Sequence, residues 1–201
     1  MSALEAKNLS FAYPGGRTVL KSIDLTFSSE ERVALSAPSG FGKSTLCQLL
    51  AGYLEPDNGT ITLDGKALSR AKGTAWPVQL IWQHPEQVVD PYLRLGKSIE
   101  EAGQVPQEII EGLGIQKKWL DRYPHELSGG ELQRCCIART LAVKPRFLIA
   151  DEISTMLDAI TQVQIWEFLL SYCEKNGTGL IMVTHSDALR ERLATRVVEL
   201  R

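Results

Sequence analysis

Residues Ser39, Gly40, Phe41, Gly42, Lys43, Ser44 and Thr45 put two glycines, a lysine and three hydroxyls in seven consecutive positions. That composition suits a phosphate chain. Glycines let successive backbone N–H groups turn inward around phosphate oxygens. A helix opening at Lys43 would add its positive end to the same anion. Lys43 would neutralise β- and γ-phosphates, and the Ser44 hydroxyl would ligate magnesium. Five positions before Gly42, where this pattern usually carries glycine, stands Ala37. Its methyl either lowers phosphate affinity or sits in a turn of negative φ.

A second group of reactive side chains lies downstream. Asp151 and Glu152 close the apolar run Phe147 to Ala150, which places them at the C-terminal edge of a parallel sheet, where such folds bind ligands. Adjacent carboxylates repel each other there unless a cation and water lie between them. His185 follows the run Leu180 to Thr184 and reaches the same edge; a lone histidine there is ordinarily structural or solvated. Gln83 ends another short apolar run, Val78 to Trp82. Ser128, Gly129 and Gly130 begin a predicted helix, whose unpaired N–H groups and dipole favour an anion. With Glu131 three residues after Ser128, the same residues also read as a plain capping box. Tyr13 could stack its flat face on a ring or simply pack in the core.

These groups need elements to hold them. Ala6 to Tyr13, Ser22 to Phe27, Arg32 to Ser36 and Thr60 to Leu63 read as strands, with Pro14-Gly15-Gly16 and Asp64-Gly65 as turns. A helix is expected from Lys43 to Ala51, stopped at Gly52. Val78 to Trp82 reads as a buried strand. From Gln83 to Ser128, Pro85, Pro91, Gly96, Gly103, Pro106, Gly112 and Gly114 break the chain into short helical pieces. A helix over Gly130 to Val143 follows. Phe147 to Ala150 and Leu180 to Val183 read as buried parallel strands joined by a helix over Ala159 to Lys175, and Val197 to Leu200 as a last strand.

At 201 residues, 44% hydrophobic and 23% charged, the sequence suits one globular domain. No run of eighteen apolar residues marks a transmembrane helix, and the N-terminus lacks the pattern of a signal peptide. A net charge of −2 gives no electrostatic reason to expect nucleic acid. Cys47, Cys135, Cys136 and Cys173 show no CxxC spacing, so they read as buried apolar filler in a reducing, cytosolic compartment.

Taken together, the phosphate loop, then Leu127-Ser128-Gly129-Gly130-Glu131, then Phe147 to Glu152 resemble the ABC ATPases over essentially the whole chain. The resemblance implies an α/β fold: a RecA-like P-loop NTPase core with an N-terminal antiparallel β subdomain and an inserted α-helical subdomain. It implies one domain over 1–201, with 1–82 and 144–201 as nucleotide-binding core and 83–143 as the inserted lobe. ATP and Mg2+ would be the ligands. Tyr13 would stack on adenine, and Ala37, Pro38, Ser39, Gly40, Phe41, Gly42, Lys43, Ser44 and Thr45 would hold the phosphates. Ser44, Gln83 and Asp151 would serve the magnesium, Asp151 through water. Glu152 would act as general base, and His185 and Gln83 would align the attacking water. In the family architecture Ser128, Gly129 and Gly130 meet the γ-phosphate held by a partner subunit, and Asp158 crosses the same interface. A head-to-tail dimer with two buried nucleotides follows. Thr155-Met156-Leu157-Asp158 departs from the family's usual Ser-Ala-Leu-Asp segment, and Ile153 from its proline after the glutamate.

Gln83-His84-Pro85 with Asp90-Pro91, and Asp121 to Glu126 before the signature, are similar to the oligopeptide, dipeptide and nickel importer ATPases. That similarity implies a transmembrane permease and a second ABC ATPase subunit, identical or different, as partners. The chain would then lie peripherally on the cytoplasmic face of a membrane. A soluble ABC ATPase driving an assembly or nucleic-acid-processing complex is the alternative, though a single cassette without long heptads speaks against it. A small-molecule kinase would have no use for the signature.

Overall fold

The structure is a computed structural model that describes residues 1–38, 40–68, 74–155 and 157–200. The chain forms two compact units, residues 1–80 with 146–151 and 177–201, and residues 81–145 with 152–176.

The first unit contains an antiparallel and a parallel sheet. In the antiparallel sheet β1 (Ala3–Ala12) lies between β2 (Thr18–Ser28) and β4 (Asn58–Leu63), with β5 (Lys66–Ala67) at the edge beside β4. β1 buries Leu4 and Ala6, then Leu9 and Phe11. The period of two changes phase between these pairs because Asn8 adopts φ 51° and the register slips there. This is a bulge, held by the Asp24 carboxylate accepting the Asn8 N–H at 2.7 Å. The Asp64-Gly65 turn forms as the sequence suggests. Both residues have positive φ, 52° and 74°, and Leu63 faces Lys66 across a two-residue hairpin. β1 begins at Ala3 rather than Ala6, because the Ala3 N–H reaches the Asp64 carboxylate at 2.8 Å and the Ser2 N–H reaches Ser29 Oγ at 3.0 Å.

The parallel sheet also takes in β6 (Val78–Ile81), β7 (Phe147–Asp151), β8 (Gly179–Val183), β3 (Arg32–Ser36) and β9 (Arg196–Glu199), in that order. Every residue of β7 and β8 is buried, as expected for strands covered on both faces. α1 (Lys43–Leu50) packs on β7 and buries Leu46, Cys47, Leu49 and Leu50. α7 (Asp187–Leu193), which the sequence reading did not anticipate, starts from Ser186, whose Oγ accepts the Leu189 N–H.

The second unit is helical. α2 (Leu95–Glu100), α3 (Gln107–Gly112) and the 3-10 turn Pro85–Gln87 pack on α5 (Gly129–Ala142); α4 (Lys117–Leu120) packs on α2, and α6 (Ala159–Asn176) completes the unit. All four cysteines are buried and free. Burial pushes the Cys136 thiol up to about 12 and Cys135 higher still, so both behave as apolar filler. Among the described residues no helix is long and apolar enough to cross a membrane.

Candidate functional site

In the first unit β3 runs into the phosphate loop and the loop into α1. Gly42 occupies the helix start at φ 81°, and a Cβ there would lie 2.8 Å from Val19 Cγ1 and 2.9 Å from Leu20 Cδ2. Any other residue would have to displace those two side chains and would be strained at this φ. Ala37 is absent from the described non-glycine residues of positive φ, namely Asn8, Ser22, Asp64, Lys144 and Glu152. Its backbone is therefore free of positive φ, as the second reading offered above requires. Lys43 is 8% exposed, and its Nζ donates to the Ala37 carbonyl at 2.7 Å and the Pro38 carbonyl at 3.2 Å. The cation is thus held inside the loop. Ser44 is exposed in the first turn of α1, and Phe41 is half exposed. Ser39 lies outside the described residues. Tyr13 stands beside the loop, its hydroxyl 3.2 Å from Thr45 Oγ1 and its ring edge-on to Phe11 at 5.0 Å, with 44% of its surface exposed.

Asp151 ends β7 and is 8% exposed. The thiol of Cys47, one turn into α1, is pushed up first by burial and next by the Asp151 charge, while Lys43 pulls it down. The carboxylate and the loop lysine therefore act on the same small volume. On the neighbouring strand Val183 faces Asp151 in register, so His185, two residues on and exposed, follows the same strand ends. Asp151 and Ser44, both in this unit, offer oxygen donors, the kind that magnesium prefers. Among the described residues no group of three His, Cys, Asp or Glu could hold a different metal.

In the second unit the Gln83 amide Nε2 donates to Glu152 Oε2 at 3.1 Å. Glu152 has φ 50°, a left-handed conformation that costs a non-glycine residue energy. Ile153, which replaces the family's proline, is buried in apolar packing. At the start of α5 the Ser128 Oγ accepts the Glu131 N–H at 3.3 Å, and the Ser128 N–H donates to Glu131 Oε2 at 2.9 Å. The expected capping box is present, and its backbone bond draws the Glu131 carboxyl below the usual range. Asp158 caps α6, with Oδ1 accepting from the Ile160 and Thr161 N–H groups at 3.1 and 3.0 Å. Its carboxyl is lowered too, chiefly by the bonds to Thr161.

Ser128, Gly129, Gly130, Leu157 and Asp158 line one recess of about 330 Å³. Two helices, α5 and α6, begin at it, so the positive ends of both dipoles serve one hollow. Arg134 lines it as well, donating to the Leu113 carbonyl at 3.1 Å and to Thr161 Oγ1 at 3.0 Å. Sequence reasoning missed this arginine; its place one turn after Gly130 was the available signal. His84 and His125 stay apart from these groups, the first 3.4 Å from Glu86 and the second stacked on Tyr123.

A phosphate loop on a parallel sheet and, in the helical unit, two helices that open on one recess are the features that the resemblance to the ABC ATPases implied. The ABC transporter family profile matches residues 20–155. The nickel import ATP-binding protein NikE of Rhodospirillum rubrum is 37% identical over 201 residues, spanning 92% of this chain and 73% of that one. A putative peptide import ATP-binding protein of Brucella abortus is 35% identical over 207 residues, spanning 92% of this chain and 62% of that one. Among solved structures, an ATP-binding subunit of an ABC transporter superposes with a TM-score of 0.86 at 26% identity, covering 98% of this chain and 85% of that one. A dimeric cassette bound to ADP and Pi has the same fold, with a TM-score of 0.85 at 24% identity and coverage of 98% and 94%. This chain belongs to the ABC transporter family and is an ATPase.

Proposed function

We propose that this ATPase energises a membrane importer whose cargo is a peptide or a nickel-type solute. The observation that carries the reading is its kinship with import ATP-binding proteins over more than nine-tenths of its length. The chain acts as a single cassette, with 1–82 and 144–201 as nucleotide-binding core and 83–143 as the inserted lobe. Two cassettes, identical or different, close head to tail around two ATP molecules. Each lays the recess at Ser128, Gly129, Gly130 and Asp158 against the γ-phosphate held by the other. Transmembrane permease subunits are the remaining partners, and they keep the ATPase at the cytoplasmic membrane surface.

Within one cassette, Tyr13 stacks on adenine and the 37–45 loop wraps the phosphates with backbone N–H groups. Lys43 moves from the loop carbonyls to the β- and γ-phosphates. Ser44, Asp151 and Gln83 hold magnesium, which when bound neutralises charge on the transferring phosphoryl group. Glu152 accepts the proton of the attacking water, its carboxylate plane fixed by the Gln83 amide. His185 bonds the γ-phosphate. Loss of that phosphate removes the link between the two cassettes and lets them part.

Two measurements test the proposal. Glu152→Gln should bind ATP and accumulate as a dimer with ATP and magnesium in size-exclusion chromatography; a monomer under those conditions contradicts the clasp. The wild-type chain should co-purify with a polytopic permease from solubilised membranes, and recovery only with soluble proteins contradicts the importer.

A further inference from the structure

Gln133 lies one turn into α5 and is 2% exposed. Glutamine is seldom so deeply buried, and an amide removed from water is costly unless it is bonded. Its Nε2 donates to the Trp82 carbonyl at 3.0 Å. That carbonyl belongs to the peptide immediately before Gln83, whose own amide reaches Glu152.

The bond is one of a series. Cys136 Sγ donates to the Pro85 carbonyl at 3.7 Å, and an Arg139 guanidinium nitrogen donates to the Val88 carbonyl at 3.1 Å. Positions 133, 136 and 139 share one face of α5, and the carbonyls they hold are also spaced by three residues. The face is thus a row of donors matched to the segment that leaves β6. The sulfur link is the weakest of the three and the arginine link the most exposed. Gln133 is the most deeply buried of the three donors, and it acts closest to Gln83.

We propose that Gln133 is a positioning residue for ATP hydrolysis, fixing the Trp82–Gln83 peptide so that the Gln83 amide stays on Glu152. The inference rests on the assignment of Glu152 as the general base. It adds a physical link from the signature end of α5, at Ser128 to Gly130, to the base: a displacement of α5 moves the Trp82 carbonyl and with it the side chain that orients Glu152.

The test uses the full chain and steady-state ATP hydrolysis. Gln133→Met keeps the length of the side chain and removes the donor. It should lower kcat about tenfold and leave KM for ATP within about twofold of wild type. If Gln133 works through Gln83, the double variant with Gln83→Ala should be no slower than Gln83→Ala alone. Unchanged kcat in Gln133→Met, or losses that multiply in the double variant, would overturn the inference. Should Gln133→Met fail to fold, Gln133→Glu serves in its place. Its carboxyl can donate to the Trp82 carbonyl only when protonated, so its activity relative to wild type should rise as pH falls, and a ratio independent of pH overturns the inference. Glu152→Gln separates the two levels. Full turnover in that variant removes the underlying assignment, whereas its loss beside full turnover in Gln133→Met refutes the positioning role alone.

Discussion

The left-handed backbone at Glu152 can be tested without reference to catalysis. A non-glycine residue at φ 50° carries a steric cost of about 1–2 kcal/mol that glycine does not. Comparing Glu152→Gly with Glu152→Ala isolates this term, because both lose the carboxylate and its bond from Gln83. Against the relief stands the greater freedom of an unfolded glycine, about 0.5–1 kcal/mol. The glycine variant should therefore be the more stable by about 0.5–1 kcal/mol, the reverse of the order found at ordinary φ. In a chain of this size that is a rise in Tm of about 1–4 °C. Glu152→Asn, whose side chain tolerates the conformation, should fall between them. Calorimetry and urea midpoints at equal m-values would measure the order. An alanine variant as stable as the glycine one, or more so, would refute the claim that backbone strain is stored at Glu152. The selection implied is specific: glycine would suit the backbone better, and the carboxylate is kept despite it.

Gly40 and Gly42 have nearly equal φ, 82° and 81°, but only at Gly42 would an added Cβ meet neighbours. Gly42→Ala should therefore melt lower than Gly40→Ala, although both carry a backbone cost of about 1–2 kcal/mol; equal melting temperatures would contradict the packing at Val19 and Leu20. Lys43→Ala should weaken ATP binding by at least about tenfold in a titration with a fluorescent analogue. The Asp158 carboxyl is held below its usual range by its bonds to Thr161, so its stabilising effect is complete above the unfolded carboxylate pKa and fades as pH falls through the lower folded value. The gap in Tm between wild type and Asp158→Ala should accordingly narrow on acidification below about pH 4, and a gap that widens would reverse the sign.

Features set by neighbouring residues were the legible ones. The glycine–lysine loop, the Ser128–Glu131 capping box and the Asp64-Gly65 turn each follow from a few consecutive side chains, and each stands where the sequence puts it. Asp158 was assigned by family resemblance, but its capping of α6 could have been read from its place ahead of a helical run. Long-range geometry was not legible. Nothing local says that Gln83 bonds a carboxylate 69 positions away, or that Gln133 holds the peptide before it. The left-handed turn at Glu152 was equally hidden, because glutamate does not announce positive φ, whereas Asn8 belongs to a residue type that tolerates it. α7 escaped because its apolar face is short and only Leu193 is buried.

Strand order has a consequence for synthesis. β3 leaves the ribosome well before its two neighbours in the sheet, β8 and β9, which lie more than 140 residues further along the chain. Until residue 183 has emerged Val33, Ala34 and Leu35 lack both flanking strands, and until residue 199 they lack one, leaving an apolar edge open to other chains. A nascent polypeptide halted before β8 should therefore depend on chaperones and collect in inclusion bodies, while the emergence of β8 and β9 closes that edge from both sides.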